Sequence, residues 1–292
     1  MIDLHIHSTF SDGSDTPAEI VEAAAARGLC ALALTDHDSM GGTEEFLAAC
    51  RARNLTGIAG VELSVDSEKL GGGTVHILGY GVNEECPAFS DALQRVLDAR
   101  DWRNERIVER LNELGVEVTM AEVQDCAGET IVGRVHIAQA LVNRGAVASI
   151  EEAFEQYLDE NAPAYVTRYK LYPDESIRLI HEAGGAAVFA HPFQWSRDPA
   201  EVEEAVRVLK GWGLDGVEVR NACTRPNETD CLLRCAAANG LFPTGGSDYH
   251  GQPKPDIRIG SGFGTLNVPD AYLPPLLAAI GGASNPCVYL ST

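Results

Sequence analysis

Short apolar runs alternate with alanine-rich amphipathic segments along most of this chain, and the residues that end those runs are histidines and carboxylates. Ile2–Ile6 reads as a strand. Thr16, Pro17 and Glu19 form a capping-box start for a helix over Ala18–Arg27, which Gly28 ends. Leu29–Leu34 is a wholly apolar strand running into Thr35-Asp36-His37-Asp38. A helix over Thr43–Arg53, a strand over Thr56–Leu63 with Glu62 near its end, and a strand over Thr74–Tyr80 carrying His76 follow. The rhythm resumes late in the chain. There, helix Pro173–Ala183 precedes strand Ala186–Ala190, which runs into His191-Pro192. Helix Ala200–Lys210, strand Gly216–Val219, helix Glu228–Asn239 and strand Phe242–Gly245 come next, then Gly246-Ser247-Asp248-Tyr249-His250. The tail adds a helix and an edge strand near Cys287–Leu290. Such alternation implies a mainly parallel sheet with helices outside, a barrel or an open sheet, with chemistry at the C-terminal strand ends.

Between 86 and 163 the rhythm breaks. Phe89–Leu114 reads as one long helix, followed by shorter ones at Ala121–Cys126, Arg134–Arg144 and Ile150–Leu158, with no convincing strand. The expected organisation is therefore a barrel over 1–85 and 164–292, with a helical insertion over 86–163 lying across its mouth as a lid. At 292 residues and 45% hydrophobic, the chain can bury the core such a domain needs.

Nine potential ligands collect near the strand ends: His5, His7, Asp12, His37, Glu62, His76, His191, Asp248 and His250. On a strand His5 and His7 share a face, because side chains repeat every two residues. Each position has an ordinary reading by itself: Asp12 as a turn residue, His76 as a core histidine, His191 as a turn histidine before proline. His76 also lies inside its strand rather than at its end. Yet six of the eight histidines are in this set, on ends that share one rim. Mixed imidazole and carboxylate donors suit zinc, manganese or iron held for catalysis, since structural zinc prefers thiolates. Nine donors exceed one ion and would serve three. Clustered divalent ions activate water and clamp phosphoryl oxygens, so phosphoester hydrolysis is the natural reaction, with two-metal amide hydrolysis next to it.

Charge narrows the substrate. With 43 acidic and 22 basic residues, the formal net charge of -21 repels long nucleic acid and anionic membranes. A small anionic substrate or a short nucleic-acid end fits better. None of the eight cysteines forms a CxxC. Cys231 and Cys235 could pair on zinc, but buried free thiols in a reducing compartment are the simpler expectation. The entry from Met1 directly into a strand and the lack of a membrane-length apolar run point to a cytoplasmic protein.

His5-Ile6-His7, Ser11-Asp12-Gly13, Thr35-Asp36-His37, Glu62, His76, Ala190-His191-Pro192 and Gly246-Ser247-Asp248-Tyr249-His250 together resemble the motif series of the PHP (polymerase and histidinol phosphatase) family, near the amidohydrolase superfamily. The resemblance covers nearly the whole chain, in order, with no departure at the nine positions. It implies an α/β fold, a distorted (β/α)7 barrel with a helical insertion. It is nearest to the stand-alone branch of 3′,5′-nucleotide bisphosphate phosphatases and RNA 5′-end trimming enzymes. By resemblance, His5, His7, Glu62 and Asp248 would hold one ion, and Asp12, His37 and His250 a second. His76 and His191, with Glu62 bridging, would hold a third. Mn2+ is the expected metal, with Zn2+ or Fe2+ as alternatives. Asp248 and His191 are also the candidate catalytic groups.

A bisphosphorylated nucleotide needs a second anion site, for which Arg134, Arg168 and Lys170 are the candidates, with Arg225 behind them. Ser8 could donate to a phosphate, and Tyr169 or Phe193 could stack on a base. The expected activity is removal of the 3′-phosphate from nucleoside 3′,5′-bisphosphates such as adenosine 3′,5′-bisphosphate. The alternatives are a 5′-to-3′ exoribonuclease on short 5′-phosphorylated RNA, a histidinol-phosphate phosphatase, and a non-catalytic metal-binding module.

Overall fold

In a computed structural model that describes residues 1–128 and 131–292, the strands follow one another around a sheet in chain order. They are β1 (Ile2–Asp3), β2 (Ala31–Leu34), β3 (Thr56–Val65), β4 (Val75–Tyr80), β5 (Ala186–Phe189), β6 (Gly216–Asn221) and β7 (Phe242–Gly246). A short β8 (Val288–Tyr289) pairs with β3 near the C-terminus. The edges β1 and β7 meet through Leu4 N–H donating to Gly245 O at 3.1 Å and a bridge from Ile6 to Tyr249, so the sheet nearly closes into a barrel. Gly246 makes this seam possible, since a Cβ there would lie 2.3 Å from the His5 nitrogen.

The short β8 pairs antiparallel with β3; among β1 to β7 pairing is parallel except at β4, which runs antiparallel to both β3 and β5. That reversal accounts for His76. On a strand running the other way, the second residue lies at the end where its neighbours finish, so His76 reaches the rim that the other ligands reach from C-terminal ends.

Alternate residues build the interior. Ile2 and Leu4, Ala31 and Ala33, Ile58, Leu78 and Tyr80, and Ala186 and Val188 converge on one buried cluster, joined by Leu276 and Ile280 of the tail. The buried Tyr80 hydroxyl donates to Leu4 O at 2.8 Å, so its polar end is satisfied. The helix Pro17–Ala26 starts with Thr16 and Glu19 in reciprocal capping, as the sequence pattern implies. All eight cysteines are free, and burial raises the thiols of Cys231 and Cys235 above their ordinary range.

Asp3 ties the seam together. It is fully buried and accepts N–H groups from His5, Ser247 and Gly260, the last two at 2.8 and 2.6 Å. Asp3→Ala would leave these donors unmade, at a cost of about 3 kcal/mol. Thermal unfolding should then fall by about 5–10 °C; an unchanged melting temperature would show that the seam does not depend on it.

The chain divides into two compact units, Met1–Leu93 with Lys170–Thr292, and Gln94–Tyr169. The second contains no strand among the described residues. Its helices are the latter part of Pro87–Glu113, then Met120–Ala127, Arg134–Asn143 and Ile150–Ala153, which continues as a π turn over Phe154–Leu158. They close on their own core, including Ile107, Leu111, Val123, Ile137, Leu141 and Leu158. No helix among the described residues is long and apolar enough to cross a membrane.

Candidate metal centre

The site is built on the chain that leaves β1. Leu4 and Ile6 point into the core, so His5 and His7 take the other face, their rings 5.2 Å apart. A tight turn follows, in which Ser11 and Gly13 N–H groups both donate to Ser8 O. Gly13 is required there, since a Cβ would meet His7 O at 2.5 Å. The turn swings Asp12 back until its Oδ1 lies 3.7 Å from His7 Nδ1 and 3.3 Å from His250 Nε2. Buried Asp36 fastens this loop by accepting the Ser8 N–H and hydroxyl, each at 2.7 Å, and the Ser11 hydroxyl.

Glu62 stands at the middle, wholly buried on β3. Its Oε2 lies 3.2 Å from His5 Nε2, 3.2 Å from His7 Nε2 and 3.1 Å from His37 Nδ1. Its Oε1 lies 2.9 Å from both His76 Nδ1 and His191 Nε2. One carboxylate thus faces five imidazoles with its two oxygens divided between them. Asp248 Oδ1 joins the first set, 3.4 Å from His7 Nε2 and 3.7 Å from His5 Nε2.

Three groupings of donor atoms result, each within 4.8 Å of one another: His5, His7, Glu62 and Asp248; His7, Asp12, His37 and His250; and His37, Glu62 and His76. The first is the set expected for one ion. The second contains the expected trio with His7 added. In the third, His37 stands where His191 was expected, although His191 Nε2 touches the same Glu62 oxygen.

The residues fit divalent metal. His5 Nε2, His7 Nε2, His37 Nδ1 and Glu62 Oε2 are buried without a hydrogen-bond partner, although such atoms are ordinarily satisfied. Donors about 2.1 Å from a shared ion sit roughly 3.0–3.4 Å from each other, which matches the separations around Glu62 Oε2. All the donors are nitrogen and oxygen, the chemistry of a catalytic rather than a structural site.

Electrostatics prepares the donors unequally. Burial pushes the imidazoles of His37 and His250 down to about 3 and about 4, and lowers His76 as well, so these are neutral at pH 7. Burial opposes charge on His5 and His7 too, but Glu218 and Glu62 raise His5 well above its ordinary range, and Asp248 and Glu62 raise His7 to about 9. Burial would raise Glu62 and Asp248, yet the surrounding imidazoles hold both well below the usual carboxylate range.

Several supporting residues escape a reading by strand ends alone. Glu218 on β6 is buried, accepts His5 Nδ1–H at 3.0 Å through Oε1, and accepts the His191 backbone N–H at 2.7 Å through Oε2. It thereby fixes the tautomer that presents His5 Nε2 to the centre. Its sequence signal was a carboxylate between Val217 and Val219 in an apolar strand. Asp36 lay inside a quoted motif without a role. His191 and Asp248 take positive φ of 28° and 57°, in chain segments that turn sharply at the rim.

The residues expected to hold substrate are distributed differently. The Ser8 hydroxyl proton goes to Asp36, so Ser8 secures the loop carrying His7. Lys170 belongs to the barrel unit, where its charge helps lower His76. Arg134 and Arg168 belong to the helical unit. Arg134 donates to Leu158 O at 2.9 Å and lies 5.6 Å from the ring centres of Phe154 and Tyr165. In the same unit, Arg103 is only 6% exposed, with its Nε unpartnered. Burial, with Arg100, Arg168 and Arg134 nearby, pushes it down to about 8. All four of these arginines belong to the helical unit. Arg100 and Arg103 were not anticipated; their signal was the three-residue helical spacing in Arg100-Asp101-Trp102-Arg103.

The chain is similar to several known proteins. The PHP domain family model matches residues 3–171. A 3′,5′-nucleoside bisphosphate phosphatase from Chromobacterium violaceum is 33% identical over 257 residues, covering 85% of this chain and 87% of the relative. A 5′-3′ exoribonuclease from Haemophilus influenzae is 34% identical over 273 residues, covering 93% and 96%. A solved structure from Bifidobacterium adolescentis, of a protein named for metal-dependent phosphoesterase activity, superposes with a TM-score of 0.83 at 30% identity, covering 95% and 96%.

Proposed function

This chain belongs to the PHP domain family, and from that premise we propose that it is a metal-dependent phosphoesterase that removes the 3′-phosphate from nucleoside 3′,5′-bisphosphates, giving the 5′-monophosphate and phosphate. The observation that carries the hydrolytic part is Glu62, buried and approached by five imidazoles, with three of the facing nitrogens and its own Oε2 lacking a hydrogen-bond partner. The nine residues His5, His7, Asp12, His37, Glu62, His76, His191, Asp248 and His250 would hold three divalent ions, Mn2+ by preference. Bound there, the ions would supply Lewis acidity and activated water. The chain's own part is to hold the donors in place, with His37, His76 and His250 kept neutral by burial.

Preference for a bisphosphate is supported by the kind of reaction named for the Chromobacterium relative, and Arg134 and Arg168 are basic groups suited to a second anion. Arg134 and Arg168 are the candidates to receive the second phosphate, each guanidinium able to act as a bidentate fork. Exoribonuclease action on short 5′-phosphorylated RNA is the second reading, favoured by the Haemophilus relative. A net charge of -21 disfavours the long basic track that RNA would follow.

The test is phosphate release with Mn2+ from adenosine 3′,5′-bisphosphate, AMP, histidinol phosphate and a short 5′-phosphorylated RNA. The bisphosphate should be consumed fastest, leaving AMP. Stepwise RNA shortening with slow bisphosphate turnover would replace this reading with the second. Arg134→Ala should lower kcat/KM for the bisphosphate about 10- to 100-fold, as befits a lost charge-assisted hydrogen bond, and barely change p-nitrophenyl phosphate hydrolysis. Equal losses on both would remove Arg134 from the second anion site.

A further inference from the structure

Lys254 is a basic residue set directly on the metal rim, and nothing so far uses it. Its Nζ donates to Asp248 Oδ2 at 2.9 Å, while Asp248 Oδ1 turns toward His7 and His5. The carboxylate is thus divided, one oxygen toward the centre and the other toward the ammonium. Asp248 Oδ2 is the one acceptor that Nζ reaches among the described residues, and an ammonium has three protons to give.

The loop holds this side chain in place. Gly251 enters it with a φ of +70°, Lys254 N–H donates to Gly251 O at 3.1 Å, and Ile257 N–H donates to Lys254 O at 3.0 Å. Ile257 and Ile259 are buried, and Gly260 is fastened to Asp3. Two consecutive turns with apolar anchors behind them leave the ammonium at the edge of the centre, its side chain 39% exposed.

The space it borders suits a phosphoryl group. A cavity of about 140 Å³ is lined by candidate ligands, including Glu62, His191 and Asp248, and otherwise by Thr74, Gln194 and Lys254. That volume equals roughly four or five waters, enough for a phosphoryl group but not for a nucleoside. Lys254 is the one lysine or arginine in that lining.

We infer that Lys254 is a substrate-contacting catalytic residue, which holds Asp248 through one proton and directs its others at a non-bridging oxygen of the phosphoryl group in the cavity. An ammonium fixed before the reaction, at a point where anionic charge must be accommodated, stabilises it without reorganisation. This inference rests on the phosphoesterase reading for its chemistry, but it can be measured by binding alone.

The experiment uses the full chain loaded with Mn2+, as wild type, Lys254→Met and Lys254→Arg. Metal content, the calorimetric Kd of inorganic phosphate and kcat/KM are read for each. Lys254→Met should keep its metal, bind phosphate about 10-fold or more weakly, and lose on the order of 10- to 100-fold in kcat/KM; Lys254→Arg should recover most of the phosphate affinity. Phosphate affinity unchanged in the metal-loaded Met variant would overturn the inference and leave Lys254 as a brace for Asp248. Wild type that binds no phosphate would overturn it as well. If wild type binds metal and phosphate yet hydrolyses none of the four substrates, the phosphoesterase reading fails, while the Lys254 contact is decided by the phosphate Kd. Should the Met variant not fold, Lys254→Gln is read instead: with metal retained, a phosphate Kd about 10-fold or more weaker than wild type supports direct contact, and an unchanged Kd overturns it.

Discussion

Glu62→Gln is expected to reduce phosphoester hydrolysis by roughly 10³-fold or more and to strip the protein of bound divalent metal. The substitution changes one atom and little volume. It removes the anion that His5, His7, His37, His76 and His191 all approach within 3.2 Å. An amide oxygen is a weak ligand, and an amide nitrogen would be driven against imidazole nitrogens or metal. A metal clamp worth several kcal/mol therefore disappears from the reaction. Metal content measured beside phosphate release checks this. Full metal occupancy with activity within about tenfold of wild type would show that Glu62 does not organise the centre.

Glu218→Gln should weaken metal binding by about 10- to 100-fold, although Glu218 lies outside every donor grouping. The carboxylate accepts from both His5 Nδ1–H and the His191 backbone. An amide offers one acceptor, so one of those two donors is left facing an N–H in a wholly buried place. If His5 turns or changes tautomer, Nε2 no longer presents a lone pair to the centre. Titration with a competing chelator gives the affinity, and activity against Mn2+ concentration shows whether excess metal rescues turnover. Affinity within twofold of wild type would mean that packing alone orients His5. Thermal unfolding separates this from a folding defect.

The barrel was legible because its strands are short, apolar and bounded by helix starts with clear chemistry. Thr16-Pro17-Ala18-Glu19 announces its helix through the same side-chain to backbone bonds that the structure contains. The direction of β4 was not legible. A strand carries the same two-residue period whichever way it runs, and only the partners of Ile77 and Leu78 on β3 and β5 disclose the reversal. His76 therefore looked misplaced when it was not.

The centre divides along similar lines. Residues that touch a common point come from strand ends, which periodicity locates. The residues that hold them do not. Glu218 approaches His5 across 213 positions of chain, and Lys254 reaches Asp248 from a loop with no periodic signature. Arg134 and Arg168 drew attention through charge in an acidic chain. Arg103 is buried in a helix whose charged neighbours make it look like a solvated face.

The left-handed backbone at His191 and Asp248 bears on how such a protein can be improved. Each of these residues, and Asp38 with them, holds a conformation that glycine adopts freely and that other residues adopt at about 1 kcal/mol or more. Glycine at 191 or 248 would relieve that strain and delete a donor in the same stroke. A library selected for heat resistance alone would thus be drawn toward sturdy, inactive proteins. Screens on this scaffold need turnover as a paired criterion, and stabilising changes belong in the helices away from the rim.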